Sequence, residues 1–209
     1  MSTGSEAFFK LSLSDLSPEM GLIFIPDISG FTRFVHHTDF SIGRRITYEL
    51  LSAIIEQNDL QLHISEIEGD AIFFYRYGPP PTAFELLDQY KKMLNAFNAR
   101  LSQINGLLNV NYDLSLKMIA HYGPIAEYDL RGFRKLYGQA VVEAHVLLKN
   151  EIASHSYALL TEDLLGCFTL DLLVDLPKGV QSQSLSKANG DMMNICYRYF
   201  DFSTHKFED

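Results

Sequence analysis

The stretch that decides the fold reads Gly21-Leu22-Ile23-Phe24-Ile25-Pro26-Asp27-Ile28-Ser29-Gly30-Phe31-Thr32. Its first five residues form an apolar run rich in branched and aromatic side chains. Such a run predicts a buried strand and is too short to span a membrane. Asp27 follows at the predicted exit of this strand, where a carboxylate is a candidate ligand for a metal ion.

A second acidic turn reads Glu66-Ile67-Glu68-Gly69-Asp70-Ala71. Residues 62–68 alternate in polarity and a new apolar run covers 71–75, which predicts a hairpin with Asp70 exposed at its tip. Asp27 and Asp70 together could bind Mg²⁺ or Mn²⁺, because these ions prefer hard oxygen ligands. The structural alternative is that Asp27 caps a turn and Asp70 satisfies the hairpin, both common tasks of aspartate.

Periodicity predicts the remaining elements. Apolar residues at three- and four-residue steps indicate a helix over 41–57, and Thr82 can cap a second helix that runs to about Ile104. The further predictions are a strand over 113–120, a turn at 122–124, a partner strand within 125–136, a helix over 139–152, a strand over 157–161, an apolar run over 170–176, a mobile loop over 178–191 and a terminal strand over 194–202. This order predicts an α+β fold in which helices cover a mainly antiparallel sheet.

Composition limits the classes of function. With 47% hydrophobic residues, a chain of 209 residues can bury a substantial core, and we predict an N-terminal extension over 1–19 followed by a single domain over 20–209. The net charge of -9 without a basic cluster argues against nucleic acid as a partner. No apolar run approaches the ~20 residues of a membrane helix and no basic leader is visible, so we expect no membrane partner and a cytoplasmic location.

Four other reactive side chains are predicted to be structural. Cys167 and Cys196 stand in apolar surroundings, which indicates buried free thiols and a reducing compartment rather than a disulfide framework. His121 and His145 have no metal-ligand spacing, so we expect both to be satisfied inside the fold.

The two acidic segments carry a resemblance to a known family. Residues 24–32 and 66–70 resemble the two metal motifs of the class III adenylate and guanylate cyclases, in that family's order and spacing. Residues 118–124 are similar to the family's strand after the long central helix, and residues 137–147 resemble its last catalytic helix. The resemblance covers roughly residues 20–165. The chain also resembles a divergent bacterial cyclase-like branch whose function is not established.

The resemblance implies a fold, an assembly and a metal site. Cyclase domains contain a ferredoxin-like core and pair into dimers whose active sites lie at the interface, so the resemblance implies a homodimer. It also implies that Asp27, Asp70 and the Ile28 carbonyl bind Mg²⁺ or Mn²⁺. In the family one ion activates the ribose 3′ hydroxyl of a nucleoside triphosphate, and the other stabilises the leaving pyrophosphate. An active chain would therefore be a phosphorus–oxygen lyase that forms a 3′,5′-cyclic nucleotide.

Two further residues stand at the family's base-reading positions. Glu66 occupies one of them, and Lys135 occupies the other. A carboxylate accepts hydrogen bonds from guanine N1 and N2 while an ammonium donates to O6, so this pair suits GTP. A cross-strand salt bridge between Glu66 and Lys135 would explain the same residues without a ligand.

The last helix departs from the family. Active cyclases carry an asparagine and, four residues later, an arginine, where this chain has Val142 and Val146. Loss of one transition-state donor typically costs about a hundredfold in rate. Lys149, one turn further, could reach a phosphate or could simply lie on a solvated helix face.

The sequence therefore leaves three hypotheses and assigns no catalytic residue. The first is a nucleotide cyclase that binds a divalent ion and a nucleoside triphosphate. The second is a degenerate cyclase fold that serves as a noncatalytic nucleotide-binding or dimerisation module. The third is a structural interaction protein in which Asp27 and Asp70 only form turns.

Overall fold

The computed structural model describes residues 18–168, 181–189 and 193–203. The strands, in chain order, are β1 (Glu19–Ser29), β2 (His63–Glu68), β3 (Ala71–Tyr77), β4 (Ser115–Leu130), β5 (Phe133–Tyr137), β6 (Tyr157–Thr161), β7 (Gln181–Asn189) and β8 (Met193–Asp201). The helices are α1 (Phe31–His37), α2 (Phe40–Ile55), α3 (Ala83–Leu108), α4 (Gln139–Leu148) and α5 (Glu162–Leu165).

One sheet organises the molecule. Its strand order is β2-β3-β1-β4-β6-β8-β7, and β5 pairs with the far end of β4. The described pairings are antiparallel apart from β4 with β6, which are parallel. The predicted α+β fold with a mainly antiparallel sheet is confirmed.

Local sequence signals fix the two long helices. Thr82 and Glu85 form a capping box at the start of α3: the Thr82 hydroxyl accepts from the Glu85 amide at 3.2 Å, and Glu85 accepts from the Thr82 amide at 2.8 Å. The Asp39 carboxylate caps α2 by accepting from the amides of Ser41 and Ile42. Both helices thus begin where their unpaired amide groups find an acceptor.

The two faces of the sheet carry different cover. Leu22, Phe24 and Ile28 of β1 pack with α2 and α3 in the larger core. Alternation along the same strand turns Ile23 and Ile25 to the opposite face, where they pack with α4. We call this opposite side the α4 face, and Asp27 shares it because it alternates with Ile25.

The predicted turn at 122–124 is wrong. β4 continues through Pro124 to Leu130, and its hairpin turn lies at Arg131 and Gly132. A proline is tolerated there because this part of β4 pairs with β1 on one side, where Met20 lies opposite Pro124, and lies beyond its pairing with β6. The partner strand expected within 125–136 is therefore the end of β4 followed by β5.

The predicted mobile loop over 178–191 is wrong for residues 181–189, which form β7. This strand lies at the edge of the sheet and pairs with β8 through its backbone. Backbone pairing does not require apolar side chains, so its polar sequence suits an edge. The apolar run expected over 170–176 lies outside the described residues.

The prediction that the two cysteines are free thiols is confirmed, and the prediction that they are buried is wrong. Cys167 and Cys196 are free thiols, and both are exposed. Cys196 lies on β8 between the buried Ile195 and Tyr197, so strand alternation turns it away from their side of the sheet.

Within the part of the chain that the structure describes, no helix is both long enough and apolar enough to cross a membrane.

Candidate functional site

The structure brings the two predicted aspartates together on the α4 face. β1 and β3 pair Asp27 with Ala71, the residue that follows Asp70. The Asp27 and Asp70 carboxyl groups lie within hydrogen-bonding reach of each other. The Ile28 amide donates to the Asp70 carbonyl at 3.3 Å and ties the hairpin turn to β1. Two acids far apart in sequence therefore form one carboxylate pair.

Two details of the sequence prediction are wrong. Asp27 does not lie at the exit of its strand, because pairing with β4 extends β1 to Ser29. Asp70 is half-buried rather than exposed at the hairpin tip, because its side chain lies against Asp27. Gly69 has a φ of 62°, the left-handed conformation that lets the turn close tightly.

The carboxylate pair holds a proton near neutral pH. Burial first, and then the negative charge of Asp27 and the hydrogen bond between the two carboxyl groups, together raise the pKa of Asp70 from 3.8 to about 7. At lower pH the protonated Asp70 donates to the Asp27 carboxylate. Above this pKa the two negative charges repel each other unless a cation lies between them.

Lys117 is a member of the site that the sequence did not reveal. Its Nζ lies 2.9 Å from Asp27 Oδ2, and the two side chains are only 20% and 13% exposed. The same ammonium donates to the carbonyl of Leu148, the last residue of α4, at 3.3 Å. One sequence signal was present: Lys117 interrupts an otherwise apolar strand segment between Leu116 and Met118.

The carboxylate pair fits a divalent ion. A cation between Asp27 and Asp70 would replace the shared proton and relieve the repulsion between two half-buried charges. Over the described ranges, no third histidine, cysteine, aspartate or glutamate joins them in a metal-binding group. Further ligands would be backbone oxygens, water or phosphate, the usual partners of Mg²⁺. The Ile28 carbonyl as one of them stays a prediction.

Glu66 and Lys135 meet in a direct ion pair between β2 and β5. Glu66 lies opposite Phe73, so its side chain is on the α4 face. The hydrogen bond to Glu66 raises the pKa of Lys135. The two residues expected to read a base are therefore neighbours, and they already form the salt bridge that the sequence offered as the alternative.

Helix α4 presents apolar side chains at the two positions where cyclases carry donors. Val142 is 54% exposed, and Val146 packs against the cluster around Ile119 and Leu159. His145 stacks on Phe73 with ring centroids 4.5 Å apart. Lys149 is exposed and caps the end of the helix. The side chains of Val142 and Val146 offer no hydrogen-bond donor to a ligand.

His121 is a buried structural histidine. Its Nδ1 lies 2.8 Å from the Thr161 hydroxyl, and its Nε2 lies 2.8 Å from a carboxylate oxygen of Glu143. A carboxylate oxygen can only accept, so Nε2–H donates to Glu143, and in the neutral imidazole Nδ1 then accepts from the Thr161 hydroxyl. This network joins β4, β6 and α4 beside a cavity of about 480 Å³. Thr161 is fully buried, which excludes it as an accessible nucleophile.

Comparison with solved structures defines the class of fold. The chain is similar to the adenylyl cyclase CyaB from P. aeruginosa, with a TM-score of 0.66 and 13% identity over 91% of this chain and 97% of that one. It is also similar to the guanylyl cyclase Cya2, with a TM-score of 0.63 and 12% identity over 88% and 93%. A class III adenylyl cyclase-like ATP-binding protein from Pseudomonas aeruginosa matches with a TM-score of 0.58 and 16% identity over 73% and 35%. The fold is that of the class III cyclases.

Sequence comparison then places the chain in a family. Residues 47–157, more than half of the chain, match the family described as "Protein of unknown function (DUF2652)", and the chain belongs to that family. An uncharacterized protein of Mycobacterium tuberculosis is 29% identical over 126 residues. That match spans 57% of this chain and only 58% of the relative. The divergent bacterial branch stays a prediction.

Proposed function

We propose that this protein is a cyclase-fold module that binds a nucleoside triphosphate together with Mg²⁺ or Mn²⁺ and does not cyclise it efficiently. The observation that carries the proposal is the meeting of the Asp27 and Asp70 carboxyl groups where β1 pairs with β3. Two half-buried carboxylates repel each other unless a proton or a cation lies between them, so their pairing favours cation binding. Aspartates that only form turns would not have to be adjacent. This argument favours a binding site over the purely structural alternative.

The apolar helix α4 supports binding without efficient turnover. Cyclisation builds negative charge at the α-phosphate. A donor that stabilises such charge typically raises the rate by about a hundredfold or more. Val142 and Val146 donate no hydrogen bond. The Asp27–Asp70 pair can still hold a triphosphate through a metal ion. The negative charge of the transition state, however, lacks the two donors that active cyclases carry on this helix.

The pair of Glu66 and Lys135 supports GTP as the nucleotide. In the ion pair each partner keeps unused capacity, because an ammonium has three donors and a carboxylate has several lone pairs. Guanine offers N1 and N2 donors to Glu66 and the O6 acceptor to Lys135. Adenine lacks that arrangement. The similar solved structure of an adenylyl cyclase-like ATP-binding protein supports the more general point that a protein of this fold can be a nucleotide-binding protein.

An exposed apolar surface supports a homodimer. The hairpin of β4 and β5 extends from the sheet and exposes four large side chains, and α4 adds one more beside it: Tyr128, Leu130, Phe133, Tyr137 and Val142. Grouped apolar side chains at the surface are typical of interaction sites. A second copy of this chain would cover them.

The test is calorimetric titration of the purified full chain with GTP and with ATP, each in the presence and absence of Mn²⁺, followed by mass spectrometry of the products. We expect Mn²⁺-dependent binding with GTP preferred, loss of binding in Asp27→Asn, and no cyclic product. Asp88→Asn serves as the control, because Asp88 is a partly exposed acid on α3 that pairs with Lys92 and is no part of the site.

Two results would change the conclusion. Cyclic nucleotide formed by the wild-type chain and lost in Asp27→Asn would establish a cyclase. Nucleotide binding that is unchanged in Asp27→Asn would remove the carboxylate pair from the site and favour the structural role.

A further inference from the structure

The strand register places one positive charge beside the carboxylate pair. Lys117 and Asp27 lie directly opposite each other on β4 and β1, so their side chains leave the same face of the sheet as neighbours. Asp70 reaches Asp27 from the other side, through the pairing of β1 with β3. Asp27 thus lies between the carboxyl group of Asp70 and the ammonium of Lys117.

The ammonium of Lys117 is fixed rather than free to leave. It contacts Asp27 Oδ2 at 2.9 Å and donates to the Leu148 carbonyl at 3.3 Å. Leu148 ends α4, where unpaired carbonyl groups attract positive charge. Both side chains of the ion pair are mostly buried, so solvent screens this charge poorly.

We propose that Lys117 acts as a built-in cation that lowers the affinity of the Asp27–Asp70 pair for a divalent metal ion. The inference rests on the proposed metal site. A divalent ion held by Asp27 would lie within several ångströms of the Lys117 ammonium, and like charges repel strongly at that range in a partly buried site. The ammonium also occupies one of the two oxygens of Asp27.

This arrangement gives the site a preference. A free metal ion meets a carboxylate whose charge is already neutralised by Lys117. A metal ion that arrives with a triphosphate brings several negative charges, which offset the repulsion from Lys117. The site therefore selects the metal–nucleotide complex over the free ion.

The experiment measures binding of Mn²⁺ alone by electron paramagnetic resonance of the free ion, using the full chain after chelator treatment. Lys117→Met removes the charge, and Lys117→Gln removes it while keeping a donor for the Leu148 carbonyl. Lys117→Arg keeps the charge. We expect Lys117→Met and Lys117→Gln to bind Mn²⁺ about tenfold more tightly than the wild type, and Lys117→Arg to match the wild type.

The double variant with Asp27→Asn separates this inference from the proposed site. The tighter binding should disappear when Asp27→Asn is added to Lys117→Gln. Equal or weaker Mn²⁺ binding by both charge-removing variants, with Asp27 still required, would overturn the role of Lys117 and leave the metal site standing. Mn²⁺ binding that does not depend on Asp27 would overturn the metal site and this inference with it. So would the absence of Mn²⁺ binding in the wild type and in every variant.

Discussion

Two lysine–carboxylate pairs lie on the α4 face, and they differ in their surroundings rather than in their chemistry. Lys117 and Asp27 are 20% and 13% exposed, while Lys135 and Glu66 are 39% and 25% exposed. Lys117 is also held by the end of α4, and Asp27 by Asp70. The comparison teaches that the first pair is part of the framework, whereas the second can exchange its partner for water or a ligand.

Removing the buried lysine should have the largest effect on stability. Lys117→Met leaves Asp27 without its positive partner in a mostly buried position, and we expect a loss of about 2 kcal/mol in the free energy of unfolding. Urea unfolding at neutral pH in the presence of a chelator measures this loss. Lys92→Met is the matched control, because Lys92 pairs with Asp59 and Asp88 at the surface. A wild-type unfolding midpoint in Lys117→Met would place this pair in the same class as Lys135 and Glu66.

The shared proton predicts a pH dependence of intermediate size. The pKa of Asp70 is raised from 3.8 to about 7 in the folded chain, so the folded state binds a proton that the unfolded state releases at lower pH. Stability from this group is complete below about pH 4 and is lost as pH rises through about 7. Asp70→Asn, which mimics the protonated form, should be more stable than the wild type at pH 8 by about 1 kcal/mol, after allowance for partial exposure.

Urea unfolding between pH 5 and pH 8 in the presence of a chelator, with wild type and Asp70→Asn side by side, gives the difference directly. The advantage of Asp70→Asn should shrink toward pH 5. The same advantage at both pH values would show that Asp70 carries no raised pKa. Asp88→Asn should follow the wild type throughout.

The sequence was sufficient to predict the strand that carries Asp27 and the hairpin turn at Gly69 and Asp70, because an apolar run, a glycine and an aspartate are local signals. It did not reveal Lys117, since the importance of this residue depends on the register of β4 against β1. That register is set by pairing between segments far apart in the chain. A lysine inside an apolar strand was the available signal, and only the partner strand shows what it contacts.

Other errors have the same physical origin. The turn expected at 122–124 followed from Gly123 and Pro124, yet the missing donor of a proline is harmless on a stretch of strand with a free side. β7 is polar because an edge strand needs only backbone pairing. Local sequence indicates which conformation a segment prefers. Pairing with neighbouring strands decides whether the segment adopts that conformation.

The smallest effect on stability is expected at Lys135 and Glu66, the more accessible of the two pairs. Lys135→Met should lower the urea unfolding midpoint much less than Lys117→Met, because water reaches this half-buried pair more readily and can replace the lost partner of Glu66. The same variant should lose its preference for GTP over ATP in calorimetry, since guanine O6 would lack its donor. Lys135→Arg should keep the preference. Destabilisation of Lys135→Met as large as that of Lys117→Met would mean that both pairs are framework, and that Glu66 and Lys135 are held too firmly to read a base.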